Sequence, residues 1–300
     1  MRVGIIISNY NGWPDTIRCL NSLREQSCRD FRIYLVDDAS TDGSAEHLQQ
    51  NLQGQDVFLP QTNNLGFAAA YNLGMRRALQ DGADAVLLLN NDTVCAPDML
   101  EQLLKETPPG AVSCPKMLFM NPPDTIWFAG GTLNRRTRGV THEGGHQKDG
   151  PAYSRKKPVS FITFCCVLLP RAVIEQVGYL DETLFMYCED VDYCTRLADA
   201  GIPLWYIPKA KLWHKAGATA GGMLSVYYIT RNTLYLRCKG RAKPYRWLLG
   251  AREVTLGAGS CAVAALCGHR YGRSYGHWRG AVDFMLGKTG RIEGGRKGGG

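Results

Sequence analysis

The chain has 300 residues, of which 45% are hydrophobic, which is enough for one large domain or two closely packed ones. Its formal net charge of +8 is uneven: residues 231–300 hold 14 basic and 3 acidic side chains, a balance of +11, so the rest of the chain carries −3. Such a basic end favours phosphates, whether of nucleic acid, lipid headgroups or a phosphorylated substrate.

Several protein classes are disfavoured by composition. The longest apolar-leaning run, residues 254–267, is shorter than the roughly 20 residues of a membrane-spanning helix, so it predicts a core helix, with a helix in the plane of a membrane as the alternative. The 11 cysteines include no CxxC pair, which argues against structural zinc. Thiols in apolar segments and the lack of a signal-peptide pattern predict a reducing cytoplasm.

The first hundred residues alternate between short apolar runs and segments of helical periodicity. This alternation predicts an α/β fold with a mostly parallel, doubly wound, Rossmann-like sheet and flanking helices. The predicted strands are residues 3–7, 31–36, 57–59 and 85–89, and the predicted helices are 14–26, 44–52 and 67–80.

The remaining chain is less regular at first. Residues 96–159 hold proline and glycine clusters that predict strands and loops. Later elements are predicted as strands 161–169 and 203–207 and helices 171–177 and 190–200, with a disordered end at 294–300. We therefore expect a nucleotide-binding half (1–95), a catalytic half of the same domain (96–225) and a basic helical extension (226–300).

Small polar residues follow each of the first four predicted strands. In parallel sheets, ligands bind beyond the carboxyl ends of the strands, so these residues are expected to line one site. They are Ser8, Asn9, Tyr10 and Asn11; Asp37, Asp38 and Ser40; Asn63, Asn64 and Gly66; and Asn90, Asn91 and Asp92.

Two acidic features indicate chemistry. No Walker A loop and no GxGxxG follow the first strand, so a bound diphosphate would need a divalent cation, with Asp92 as a candidate ligand. A second feature, Glu189, Asp190 and Asp192, packs three carboxylates into four residues, where repulsion could raise a pKa towards that of a catalytic base.

Taken together, the motifs resemble family 2 glycosyltransferases of the GT-A fold, most closely the bacterial rhamnosyltransferase branch, over about residues 3–235. The motifs that carry the resemblance are Ser8–Asn11, Val36–Ser44, Asn64–Ala68 with Asn72, Asn90–Asp92, Ala129–Gly131, Glu189–Asp192, Trp213–Gly217 and Tyr228–Asn232.

The resemblance implies a role for each matching position. Asp38 would bind the imide of uracil or thymine, with Ser8 and Tyr10 beside the base. Asp92 and His214 would hold Mg²⁺ or Mn²⁺, and Asp190 would be the base of an inverting transfer. The other nucleotide-binding positions are Asn64, Gly66, Asn72 and Asn91. From the residues themselves, Glu189 and Asp192 are candidates to face the acceptor, with a structural role as the alternative for Asp192. Trp127 and Trp213 are candidates to stack on acceptor sugar rings, with core packing as the alternative. Asn90 stands where the metal motif usually has its first Asp, so metal affinity is expected to be modest.

The expected reaction moves rhamnose from dTDP-rhamnose to a hydroxyl of a cell-surface glycan or lipid-linked acceptor, by a cytoplasmic enzyme peripheral to the inner face of the plasma membrane. A UDP-hexose or UDP-galactofuranose donor is the alternative. A nucleotidyltransferase would need a glycine-rich loop after strand one, which is missing. The basic tail admits a non-catalytic nucleic-acid-binding protein, but we expect no nucleic-acid partner. His142 and His146 have the spacing of two metal ligands on one helix, but Gly144 and Gly145 between them disfavour a helix.

Overall fold

The computed structural model describes residues 1–217, 222–266 and 272–292. These residues form an α/β fold. The strands are β1 (Val3–Asn9), β2 (Phe31–Asp37), β3 (Val57–Pro60), β4 (Ala85–Asn90), β5 (Thr93–Cys95), β6 (Val112–Phe119), β7 (Ile126–Phe128), β8 (Gly131–Leu133), β9 (Val140–His142), β10 (Lys157–Val159), β11 (Cys166–Pro170) and β12 (Leu204–His214). The helices are α1 (Trp13–Arg24), α2 (Ser44–Asn51), α3 (Phe67–Gln80), α4 (Met99–Glu106), α5 (Arg171–Val177), α6 (Glu189–Asp199), α7 (Met223–Cys238), α8 (Lys243–Leu266) and α9 (Gly272–Met285).

The described chain divides into two compact units. The first contains residues 1–135, 139–180 and 190–216, and the second contains 136–138, 181–189 and the described residues from 217 to 292. The sequence-based divisions after residues 95 and 225 stay predictions, and the second of them falls within α7.

The first unit is built on a ten-stranded sheet in the order β10-β12-β6-β11-β4-β1-β2-β3, with β5 and β7 paired at its side. Strands β3, β2, β1 and β4 are parallel, as the alternation of strands and helices predicted. Strand β11 then runs antiparallel between β4 and β6. Because β1 and β4 are buried almost throughout, they read as unbroken apolar runs in the sequence.

Strand β12 extends well beyond the predicted strand 203–207. It pairs parallel with β6 along most of its length, across an irregularity between Ile207 and Lys211, and its end pairs antiparallel with β5. The sequence did not predict this part of the strand, because Lys209 and Lys211 interrupt the apolar pattern that marks a strand. Pairing with β6 and β5 holds it in the sheet.

The expectation of a core helix over 254–267 was wrong. Residues 254–266 form the second half of the long helix α8, and the side chains of Leu256, Val263 and Leu266 are 49%, 60% and 88% exposed. Within the described part of the chain, no helix is both long and apolar enough to cross a bilayer. Residue 267 and the predicted disordered end at 294–300 lie outside the described residues.

Candidate active site

Strand pairing brings Asp92 and His214 together. In the antiparallel register of β5 and β12, Thr93 lies opposite His214, so the residue before Thr93 reaches the end of β12. The backbone N–H of Lys215 donates to the carbonyl of Asp92 at 2.9 Å and closes this corner. Two residues 122 positions apart are thereby placed by main-chain geometry rather than by flexible side chains.

The two side chains touch directly. Nε2 of His214 lies 3.1 Å from Oδ1 of Asp92, and the imidazole is almost fully buried. The ring of Trp127 packs edge-on against it, with centroids 4.3 Å apart. In the described part of the protein, the buried Nδ1 of His214 has no hydrogen-bond partner.

The separation of 3.1 Å is that of a direct hydrogen bond or ion pair, and it also equals the spacing of two neighbouring ligands of one cation. Two donors that each lie about 2.1 Å from Mg²⁺ at a right angle are about 3.0 Å apart. Among the residues that the structure describes, no group of three or more His, Cys, Asp or Glu side chains could form a complete metal cage. A cation here would need oxygen ligands from a substrate or water, which is the usual way that Mg²⁺ is bound beside a diphosphate.

A buried hydrogen-bond network fixes the same edge of the sheet. The amide nitrogen of Asn9 donates to Asp37 at 2.8 Å and to Ser40 at 3.0 Å, and its oxygen accepts from Thr16 at 2.8 Å. The amide of Asn91 in turn donates to Thr16 at 2.9 Å. The turns that follow β1, β2 and β4 are therefore tied to one another through buried polar groups, which are costly to leave unpaired.

The sequence predicted only that Asn9, Asp37 and Ser40 line the site, and it gave Thr16 no role. Their signal was present, because Asn9 and Asp37 both end apolar strands, and a polar residue that ends a buried strand needs a partner. The sequence alone could not show that the partner of each is the other.

Asp38 is nearly fully buried and holds the loop that leads into α3. One carboxylate oxygen accepts from the N–H of Leu65 at 2.6 Å and the other from the N–H of Gly66 at 3.0 Å. Gly66 has a positive φ of 83°, a conformation that glycine adopts without steric cost. A carboxylate can accept more than two hydrogen bonds, so these contacts do not conflict with binding of a base by Asp38, which stays a prediction.

The other predicted nucleotide-binding residues differ in accessibility. Tyr10 is 48% exposed and Ser8 is partly buried at the end of β1. Within the described ranges, no donor pairs with the buried Oδ1 of Asn64. Asn72 is fully buried, and its amide makes hydrogen bonds of 3.0 and 2.9 Å to the backbone of Leu180, which gives it a role in packing.

Asp190, the second residue of α6, has a perturbed carboxyl group. Burial raises its pKa to about 6, and hydrogen bonds from the backbone of Val191 and Phe164 oppose this shift. Burial is thus the main cause, where the sequence had suggested repulsion by Glu189 and Asp192. Since the carbonyl of Cys165 accepts from the N–H of Asn90 at 2.8 Å, the segment that contacts Asp190 is itself bonded to the end of β4.

The predicted acceptor-binding residues have partners within the protein. Asp192 is buried and pairs with Nε of Arg196 at 2.8 Å, and Nε1 of Trp213 donates to the carbonyl of Pro123 at 3.0 Å. Glu189 is buried and belongs to the second unit. Contacts of these residues, and of Trp127, with an acceptor stay predictions.

The second metal site suggested by His142 and His146 does not form among the described residues. The ring of His142 lies against Phe128, Phe161 and Trp127, and that of His146 against Phe119. Both imidazoles serve aromatic packing in this structure.

The sheet order and the polar edge of the sheet have the arrangement of the GT-A fold. The family model for glycosyl transferase family 2 matches residues 4–178. The chain belongs to this family, as the sequence motifs predicted.

Two relatives are rhamnosyltransferases by name. The chain is 27% identical over 277 residues to an N-acetylglucosaminyl-diphospho-decaprenol L-rhamnosyltransferase of Mycobacterium tuberculosis, covering 82% of this chain and 88% of the relative. It is 23% identical over 261 residues to the dTDP-rhamnosyl transferase RfbF of Shigella flexneri, covering 83% of each. These similarities agree with the predicted branch of the family.

Two solved structures share the fold. One is GalNAc-T7 with UDP, GalNAc and Mn²⁺, with a TM-score of 0.63 and 14% identity; the match covers 79% of this chain and 47% of that one. The other is the mannosyltransferase PcManGT from Pyrobaculum calidifontis with GDP-Man and Mn²⁺, with a TM-score of 0.57, 15% identity and coverage of 95% and 86%. At such identities the likeness concerns the fold alone.

Proposed function

We propose that the protein is an inverting, metal-dependent rhamnosyltransferase that uses dTDP-rhamnose and acts on a hydroxyl of a glycan or lipid-linked acceptor. The observation that carries this proposal is the contact of Asp92 with His214 at the edge of the sheet where Asn9, Asp37 and Asn91 converge. The choice of donor rests on the two rhamnosyltransferase relatives.

The nucleotide would bind along the turns after β1, β2 and β3. Tyr10 offers an exposed ring for stacking, and Asp38 offers a carboxylate for the base imide. The unpaired Oδ1 of Asn64 supports this location, because a buried acceptor gains most from a donor on a ligand.

Asp92 and His214 would hold the cation, which when bound neutralises the negative charge that develops on the departing diphosphate. The carboxylate, with other positions left for substrate oxygens, suits either Mg²⁺ or Mn²⁺, and the imidazole favours Mn²⁺, because Mg²⁺ prefers oxygen ligands. The solved Mn²⁺ complexes with the same fold support this assignment.

Asp190 would act as the general base. Its carboxylate takes the proton from the acceptor hydroxyl, while that oxygen attacks the anomeric carbon from the face opposite the diphosphate and the bond from this carbon to the diphosphate breaks. The products are an inverted glycoside and the nucleoside diphosphate, and the proton passes from Asp190 to solvent. A pKa of about 6 keeps the group mainly ionised at neutral pH and more basic than an ordinary Asp.

The first prediction concerns Asp190→Asn, which keeps the size of the side chain and removes the base. Transfer should fall by on the order of 10² to 10⁴, the usual contribution of general-base catalysis, with the affinity for nucleoside diphosphate nearly unchanged. In the wild type, kcat should decline as the pH falls through about 6, because the protonated carboxyl cannot accept a proton.

Steady-state kinetics between pH 5 and 8 would check both points. Glu175→Gln, at an exposed carboxylate of α5, serves as the matched control and should behave like the wild type. An Asp190→Asn enzyme that transfers sugar at the wild-type rate would place the base elsewhere.

The second prediction concerns the donor, which can be tested without knowing the acceptor, because glycosyltransferases hydrolyse their donors slowly in water. Purified protein should release dTDP from dTDP-rhamnose faster than it releases UDP from UDP-galactofuranose or a UDP-hexose. Addition of Mn²⁺ should raise the rate and EDTA should lower it. Faster release from a UDP-sugar would show that the assigned donor is wrong.

A membrane surface is the proposed setting of the reaction. Residues 254–266 of α8 carry no charged side chain, and Leu256, Val263 and Leu266 are exposed on one side of this helix. The other side packs on α9, where a Cβ added to Gly257 would lie 2.8 Å from the backbone of Trp278. The balance of +11 over residues 231–300 suits an anionic bilayer, so apolar insertion and charge would act together.

The third prediction is that the protein co-sediments with vesicles of phosphatidylcholine and phosphatidylglycerol, and that salt weakens this binding without abolishing it. Leu256→Glu with Val263→Glu should reduce binding by at least about 10-fold, because buried apolar contacts are replaced by charges that anionic lipid repels. Val140→Glu, at an exposed apolar residue of the first unit, should bind as the wild type does.

Two outcomes would contradict the membrane proposal. Unchanged binding in the double variant would leave α8 without a role at the bilayer. Failure of the wild type to bind, together with a self-association in ultracentrifugation that the double variant lacks, would make this face a contact between copies of the chain.

A further inference from the structure

The segment just before α6 has an unusual backbone. Phe185, Tyr187 and Cys188 all have positive φ angles, between 64° and 70°. This left-handed region is unfavourable for residues that carry a Cβ, so each of them raises the free energy of the folded state. Such a conformation persists only where surrounding contacts hold it.

Asn232 of α7 supplies those contacts. It is 1% exposed, and its amide nitrogen lies 2.9 Å from the carbonyl of Leu184, 2.9 Å from that of Met186 and 2.8 Å from that of Tyr187. One side chain thus donates to three carbonyls of a single turn, with two hydrogens shared among them.

Arg231 orients the amide of Asn232. Its Nε donates to Oδ1 of Asn232 at 3.0 Å, which fixes which end of the amide faces the turn. Its terminal nitrogens donate to the carbonyls of Leu184 at 3.0 Å and Gly290 at 2.6 Å, and the guanidinium is nearly fully buried. Arg231 and Asn232 therefore both donate hydrogen bonds to backbone carbonyls of this segment.

We propose that Asn232 is a positioning residue, which sets the backbone of Leu184–Cys188 and thereby the start of α6, where Asp190 is the second residue. The inference rests on the proposed function, in which Asp190 is the base. Asp190 follows Tyr187 by three residues along the chain, so a change in the left-handed turn is transmitted through the backbone to its carboxylate. The motif Tyr228–Asn232, which the sequence singled out without a role, acquires one.

Asn232→Asp tests the proposal most sharply. This change keeps the size of the side chain and an oxygen for Arg231, but it removes the N–H groups that the three carbonyls accept. We expect kcat to fall by about 10- to 100-fold, the range in which a misplaced catalytic group costs rate. The affinity for nucleoside diphosphate should be unchanged.

Tyr227→Phe is the matched control. It removes the hydrogen bond of 3.0 Å from Tyr227 of α7 to Asp283 of α9 and keeps the aromatic ring beside the guanidinium of Arg231. It should lower the melting temperature to a similar degree and leave kcat as it is. A general loss of stability would affect both variants alike, so only the difference between them reports positioning.

Hydrogen exchange separates failure of this proposal from failure of the proposed function. In Asn232→Asp, the amides of residues 185–189 should exchange faster than in Tyr227→Phe, whatever the chemistry of Asp190. Faster exchange with unchanged kcat would mean that Asn232 holds the turn but that the base is not Asp190. Unchanged exchange and wild-type kcat in Asn232→Asp would overturn the proposal, and a variant that fails to fold while Tyr227→Phe folds would reduce Asn232 to a structural role.

Discussion

The antiparallel pairing of β12 with β5 is the constraint on which the site depends. It places the end of β12 beside the residue that precedes Thr93, and so brings His214 to 3.1 Å from Asp92. A strand that ended at Ile207, as the apolar pattern suggested, would leave Asp92 without its partner. Beyond the irregularity between Ile207 and Lys211, β12 pairs with β6 along one edge and with β5 along the other.

Buried polar groups then stiffen the edge that this pairing creates. Asn9 links the turn after β1 to Asp37 and Ser40, while Asn91 reaches the same cluster through Thr16. Each of these bonds contributes only about 1 kcal/mol, but an unpaired buried amide costs more, so the network selects one arrangement of the turns. A site with rigid turns needs little reorganisation when charge develops on a substrate.

The sequence predicted the first half of the fold well, because its strands are buried on both faces and its helices have clear periodicity. It also predicted that Asp92 and His214 belong together, through a resemblance rather than through geometry. It did not predict the length of β12, whose lysines break the apolar pattern, or the exposure of α8, whose apolar residues look like those of a core helix. From a sequence, the burial of a helix is inferred from its apolar residues. These residues alone cannot distinguish a helix in the protein core from a helix with an exposed apolar side.

The role of Asn72 shows the same limit at the level of one residue. A polar side chain in a motif suggested a nucleotide contact, while the structure pairs its amide with the backbone of Leu180. Asp192 is comparable, since its carboxylate pairs with Arg196. The partner of Asn72 is 108 residues away and is reached by tertiary folding, which no local pattern encodes. The partner of Asp192 lies one turn further along the same helix, a spacing that the sequence does show.

The most direct test of the account is calorimetry of dTDP binding with Mn²⁺ and with EDTA, for the wild type, Asp92→Ala, His214→Ala and the double variant. If the two side chains share one cation, each single change should weaken Mn²⁺-dependent binding by at least about 10-fold, a loss that even an outer partner of a metal can cause. The double variant should lose little more than the worse single variant, and binding in EDTA should be equal in all four. Wild-type Mn²⁺-dependent affinity in Asp92→Ala would contradict the account.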